Sequence, residues 1–322
     1  MKKWCLVGFV LALFALVLPV LQPPELSGTT LPTSEQLLDG TGLEALLLVE
    51  STENFINGLL TAMPPDILGI LALLFLLGLA VNVARSLPDR SDPPEGIPCG
   101  TGLGGAFFWL ITGFAGGIGL SGLMNEWGVG SFGIHWFSGF LLQFTFLVSV
   151  VLLLLWSDKR SDNRPFLTGR GWGSTIRTAV VEYLRFYPFL ILALVCNELL
   201  VLPYLPPELP LSYRFLGAAQ GILENVFLFV LIGLLAPITE EYFFRGIVFG
   251  SLRSRVPFWP SVLLGGGIFG LIHFEYQLFL PLWFFGAFLC YTYERTGSIK
   301  VVIIMHFLQN TVSFYMIKRL FG

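Results

Sequence analysis

Charge is what this 322-residue sequence has least of: 12% of its residues are Asp, Glu, Lys or Arg, where a soluble domain carries about 25%. With a mean hydropathy of +0.78, that shortage excludes an ordinary water-soluble globule and indicates an integral membrane protein. The net charge of −3 is too small to form an attractive field for nucleic acid or another polyanion. Cysteine is sparse: Cys5, Cys99, Cys196 and Cys290 show no CxxC spacing, and three of them sit in apolar runs. That excludes a disulfide framework and a cysteine metal site, and they read as packing residues. No H-E-x-x-H spacing, heptad or internal repeat is present.

What is present is a series of apolar runs near the roughly 20 residues that a helix needs to cross a bilayer. They fall at about Trp4–Leu21, Ile67–Ala84, Gly102–Leu120, Trp136–Trp156, Leu184–Tyr204, Ile222–Leu235, Phe258–His273, Leu278–Tyr291 and Ile299–Ile317. The run Ile238–Leu252 continues or follows the sixth, with Pro237 at the join. Proline there kinks a helix or ends one. The expected fold is therefore all-α, a polytopic bundle of eight to ten spans. Met1-Lys2-Lys3 and its apolar run read as an uncleaved anchor, because Leu18–Gln22 makes a poor signal-peptidase site.

The loops fit this map. Residues 23–65 contain no Lys or Arg and several acids, and read as an external acidic segment. Arg85 and Arg90 follow the second run; Lys159, Arg160, Arg164, Arg170 and Arg177 follow the fourth. The positive-inside rule places both loops in the cytoplasm, and a bacterial inner membrane is the expected location of this multi-pass protein. If Ile222–Leu252 is one span, Arg253, Arg255, Arg295 and Lys300 are cytoplasmic too. If Pro237 divides it, they are external.

Against this background three polar signatures stand out in the C-terminal third: Glu240-Glu241-x-x-x-Arg245, Phe269-x-x-x-His273 and His306-x-x-x-Asn310. Ionisable residues inside apolar helices are costly and mark functional sites. Glu241 and Arg245, four apart, share a helix face and can pair. Glu240 is left without a local counter-ion, which suits a general acid or base. The bland alternative is a Glu–Arg clamp that fixes helix packing. His273 ends a run containing Gly265-Gly266-Gly267 and Gly270, small residues that permit close helix approach. His306 and Asn310 share one face of a span, although Asn310 would also serve as interhelical glue. His135, in a Gly-rich, Trp-flanked external loop, reads as bland, and Glu224, near a span start, as interfacial.

Two chemistries are open to this set. Glu240, His273 and His306 would make a His2Glu zinc site. Alternatively, with no cofactor, Glu240 and His273 activate a water to attack a peptide carbonyl, while His306 and Asn310 donate to the oxyanion. Asn is a poor zinc ligand and a good oxyanion donor, which favours the metal-free version.

The three signatures, in this order on apolar helices, resemble the CPBP family of intramembrane endopeptidases. That family includes the type II CAAX prenyl endopeptidases and bacterial bacteriocin-processing or immunity-associated proteins. Its E-E-x-x-x-R, F-x-x-x-H and H-x-x-x-N/D pattern is matched throughout, Phe269 included. The resemblance covers about 184–322 and leaves 1–183 as an N-terminal transmembrane extension. It implies a glutamate-type protease acting on a membrane-associated or exported protein, with Glu240 and His273 activating water. His306 and Asn310 would form the oxyanion site, and Glu241 and Arg245 would support the first helix. Some members serve as immunity or scaffold proteins, so a catalytically silent membrane scaffold is the alternative. A transporter with midplane acids ranks last, since no duplicated hydropathy pattern supports it.

Overall fold

The computed structural model describes residues 171–205, 210–219 and 221–321, with 70–71, 73–78, 81 and 144. The expected spans at Trp4–Leu21 and Gly102–Leu120, that at Trp136–Trp156 apart from Phe144, the acidic segment 23–65, His135, Cys5 and Cys99 lie outside the described residues. Among the described residues every regular element is helical, so the all-α fold holds.

The described chain runs through α1 (Trp172–Leu200), a short turn of helix at Leu202–Tyr204, α2 (Leu211–Ala218), α3 (Ile222–Arg253), α4 (Phe258–Ile272), α5 (Phe279–Thr296) and α6 (Ile299–Phe321). Three stretches, Trp172–Tyr204, Ile222–Arg253 and Ile299–Leu320, are long and apolar enough to cross a membrane, with Phe258–Ile272 a shorter apolar helix. The short connections force α3 to α6 to alternate in direction. Gly297 makes the sharpest of these turns, in the left-handed region (φ 61°), its N–H bonded to Tyr293 O at 2.8 Å. It is an αL cap that glycine adopts without strain.

α1 begins twelve residues before the expected Leu184. Its first turns carry Thr175, Arg177, Glu182 and Arg185, which interrupt the apolar run. The structure buries Glu182 and Arg185 as an i,i+3 ion pair at 3.3 Å, so the polar residues are matched within the helix. The boundary between residues 183 and 184 therefore falls inside a continuous helix. On α1's inner face, Phe186 stacks within 5.2 Å of Phe285 and 5.0 Å of Phe288 on α5. Gly78, from the upstream helical stretch, lies against α1 so closely that a Cβ would stand 2.1 Å from Leu184 O and 2.5 Å from Pro188 Cδ. Pro188 has no N–H to offer that carbonyl, so glycine is seated beside the carbonyl the proline leaves free.

α4 and α5 meet through glycines, as expected from the Gly265–Gly267 run. A Cβ on Gly266 would come within 2.5 Å of Ala287 N, and one on Gly286 within 2.9 Å of Phe269 Cβ. Gly267 lies at the margin of this contact, where a Cβ would stand an ordinary 3.6 Å from Trp283 Nε1. Close backbone approach of this kind is what small residues permit between apolar helices.

α3 resolves the Pro237 alternative: Ile222 to Arg253 is one helix. The reason lies in its hydrogen-bond register. Residues Phe229–Leu235 and Tyr242–Phe249 are π-helical, flanking an α-helical turn at Ala236–Glu241. Ala236 N–H reaches back five residues to Leu231 O. In that register the missing N–H of Pro237 falls on Ile232 O, and Asn310 Nδ2 of α6 donates to that carbonyl at 2.8 Å. A helix tolerates proline where a neighbour meets the freed carbonyl.

Candidate active site

The site is built on α3, α4 and α6, each contributing one signature. The two glutamates occupy the α-helical turn between the π-helical stretches of α3, just past its middle. π-helical insertions of this kind concentrate at functional sites because they redirect side chains.

Glu241 and Arg245 are both fully buried, and Arg245 Nη1 donates to Glu241 Oε1 at 2.9 Å. Arg245 Nη2 also reaches Gly286 O at 3.3 Å, and its guanidinium lies 4.7 Å over the ring of Phe269. Phe269 thus serves as the aromatic floor beneath the arginine, and Gly286 opposite lets it in. The same Glu241 Oε1 lies 2.7 Å from Nδ1 of His306. A carboxylate already paired with arginine accepts, so His306 donates through Nδ1, and its Nε2 is turned away from Glu241. Sequence reasoning paired Glu241 only with Arg245; the link to α6 is non-local and has no spacing to reveal it.

Glu240 faces the other way. Its Oε2 lies 3.7 Å from His273 Nε2 and 3.9 Å from His306 Nε2. That oxygen is buried and makes no hydrogen bond, although the side chain as a whole remains 17% exposed and that of His273 26%. His273 Nδ1 is 2.6 Å from Phe269 O. A carbonyl only accepts, so Nδ1 donates, which leaves Nε2 facing Glu240. One carboxylate oxygen and two imidazole nitrogens therefore converge at the half-open end of an otherwise buried cluster. The rings of Phe269 and Phe285 wall it, at 5.7 and 5.4 Å from His306.

The structure brings Glu240, Glu241, Arg245, Phe269, His273 and His306 together. Asn310 lies one turn beyond His306 on α6, with its Nδ2 bonded to Ile232 O, two turns before the glutamates on α3. Glu224 takes a local part, its Oε2 accepting from Gly221 N at 3.1 Å at the start of α3. Among the described residues no group of three or more His, Cys, Asp and Glu is placed to hold a metal ion.

An all-helical membrane protein with a buried carboxylate–imidazole cluster is the class these features define. Residues 222–312, which hold all three signatures, match the family described as type II CAAX prenyl endopeptidase Rce1-like. The chain is 32% identical over 95 residues to the protein named "Putative membrane peptidase YdiL" of Bacillus subtilis (strain 168), covering 29% of this chain and 39% of that protein. It is 33% identical over 92 residues to "Membrane-embedded CAAX protease MroQ" of Staphylococcus aureus (strain USA300), covering 26% of this chain and 36% of the other. The chain thus spans less than two fifths of the length of either relative. No solved structure matches significantly. The family resemblance read from the motifs is borne out over this segment.

Proposed function

We propose that this protein is an intramembrane endopeptidase that hydrolyses a peptide bond of a membrane-associated or exported protein. The observation that carries the reading is Glu240 Oε2, buried without a hydrogen bond and flanked by two imidazole nitrogens at 3.7 and 3.9 Å. A structural Glu–Arg pair has no use for a second carboxylate beside it whose buried oxygen makes no hydrogen bond. A general base for water does.

In this reading Glu240, with His273 beside it, takes a proton from a water as its oxygen bonds to the carbonyl carbon of the substrate. The carbonyl π electrons move onto oxygen. His306 in its protonated form, held through Nδ1 by Glu241, donates from Nε2 to that oxyanion, as a carboxylate-oriented imidazole can. Asn310 contributes from the same face of α6 through the second hydrogen of its amide. When the C–N bond breaks, the proton held by Glu240 passes to the leaving amine. Arg245 balances the charge of Glu241, so that one buried carboxylate is neutralised while the other stays reactive.

The cations Arg253, Arg255, Arg295 and Lys300 gather at the end of the bundle away from His273. Lys300 Nζ sits 5.1 Å over Trp172, and Arg253 pairs with Glu294 at 2.9 Å. By the positive-inside rule this end faces the cytoplasm of a bacterial plasma membrane. The cluster then opens toward the outer half of the bilayer, which suits trimming of exported proteins.

The test is reconstitution of the full chain in liposomes with a library of membrane-anchored peptides, reading products by mass spectrometry. Cleavage by the wild type and its loss in Glu240→Gln are expected. Equal cleavage by both would overturn the assignment, and binding without cleavage by either would identify a scaffold.

A further inference from the structure

Asn197 lies outside everything assigned above. It belongs to α1, upstream of the matched residues 222–312, and none of the three signatures contains it. It is 3% exposed, and both functions of its amide are used on one turn of backbone. Nδ2 donates to Gln277 O at 2.7 Å, and Oδ1 accepts from Leu280 N at 3.3 Å. An amide that meets one carbonyl and one N–H of the same turn fixes both its position and its orientation.

The turn so fixed is the one that leaves His273. The helix ends there: His273 caps α4, and Phe274 follows in the left-handed region at φ 53°, uncommon for a bulky residue. Within α4 the imidazole is tied through Nδ1 to Phe269 O, but the chain beyond it passes through a single 3₁₀ turn at Tyr276–Leu278 into α5, so where the end of α4 sits depends on how that segment is anchored. A second anchor comes from α2, where Ser212 N–H donates to Glu275 Oε1 at 2.8 Å. Both anchors, Asn197 and Ser212, come from chain that precedes the matched segment.

We infer that Asn197 is a positioning residue for His273: by fixing Gln277 and Leu280 against α1, it holds the loop so that His273 Nε2 keeps its place beside Glu240. The catalytic consequence rests on the endopeptidase reading; the clamp itself does not.

The test uses the full chain in detergent, as wild type, Asn197→Ala, Asn197→Asp and Leu199→Ala, the last an exposed neighbour on the same helix. Hydrogen–deuterium exchange across 274–280 reads the clamp without reference to activity. Steady-state cleavage of a quenched fluorescent peptide that the wild type cuts reads its consequence. Asn197→Ala is expected to raise exchange in 274–280. It is also expected to lower kcat on the order of 100-fold, the cost of misplacing a catalytic group by about 1 Å. KM should stay within about twofold, because substrate contacts are untouched. Asn197→Asp keeps the acceptor for Leu280 N–H and should fall between; Leu199→Ala should change neither readout.

Unchanged exchange in Asn197→Ala sinks the clamp, whatever the peptidase does. Raised exchange with unchanged kcat sinks the link to His273, and activity lost only in step with folded protein shows a purely structural role. A wild type that cuts no peptide defeats the endopeptidase reading, while the exchange measurement still decides the clamp.

Discussion

Glu241 and His306 stand 65 positions apart in the chain, and Oε1 of the one is 2.7 Å from Nδ1 of the other. Through that contact one carboxylate serves two masters, neutralising Arg245 within α3 and orienting an imidazole on α6. Glu241→Gln keeps the shape and removes the charge, leaving Arg245 a buried cation. Breaking a buried pair in this way costs about 3–5 kcal/mol, so thermal unfolding in detergent should shift markedly downward. An unchanged melting profile would show that the pair carries no such weight.

Glu240→Gln should behave in the opposite manner. Its Oε2 makes no hydrogen bond, so the variant is expected to fold and melt as the wild type does. Turnover should fall by roughly 10²–10⁴-fold, the usual contribution of a general base. Paired melting and cleavage assays separate the two glutamates.

The α4–α5 contact makes adjacent glycines unequal. Gly266→Ala places a Cβ 2.5 Å from backbone nitrogen of Ala287, which cannot yield as a side chain would, whereas Gly267→Ala meets Trp283 at an ordinary 3.6 Å. Overpacking at the first should cost about 1–3 kcal/mol. The second should be neutral or slightly stabilising, since alanine favours a helix by about 1 kcal/mol over glycine. Chemical denaturation of both variants checks the order.

Asn310 and Pro237 should be coupled. Asn310→Ala strands Ile232 O, and a buried group without its partner costs about 1–3 kcal/mol. Pro237→Ala restores an N–H in the register that reaches that carbonyl. The cost of Asn310→Ala should therefore be smaller in the Pro237→Ala background, a non-additivity that a double-mutant cycle on stability measures. Strict additivity would break the connection.

Chelation tests the cofactor question directly. The carboxylate–imidazole route expects turnover to survive exhaustive treatment with a chelator. Complete loss restored by added zinc would instead assign Glu240, His273 and His306 to a metal centre.

Much of this site was legible because its determinants are local. Glu241 and Arg245 lie four apart and meet as helix periodicity requires, and apolar runs marked α3 to α6 within a few residues of their observed ends. What was not legible is what depends on approach between helices. The start of α1 was hidden by Glu182 and Arg185, polar residues that cancel only once paired. Pro237 read as a break or a kink because its remedy, Asn310, lies 73 positions away on another helix. Asn197 gave no signal, since a lone amide in an apolar run is ordinary and its partners are backbone atoms.

The seat that α1 offers has a consequence for modularity. The segment that sequence likeness picks out starts at Ile222, yet Phe186 lies against Phe285 and Phe288, and Gly78 closes on α1 from its other side. A fragment excised at Ile222 would keep every reactive group while baring the faces of α5 and α6 that α1 covers. The portion that carries the chemistry is thus smaller than the portion that folds, and grafting it into another membrane protein would require carrying α1 along.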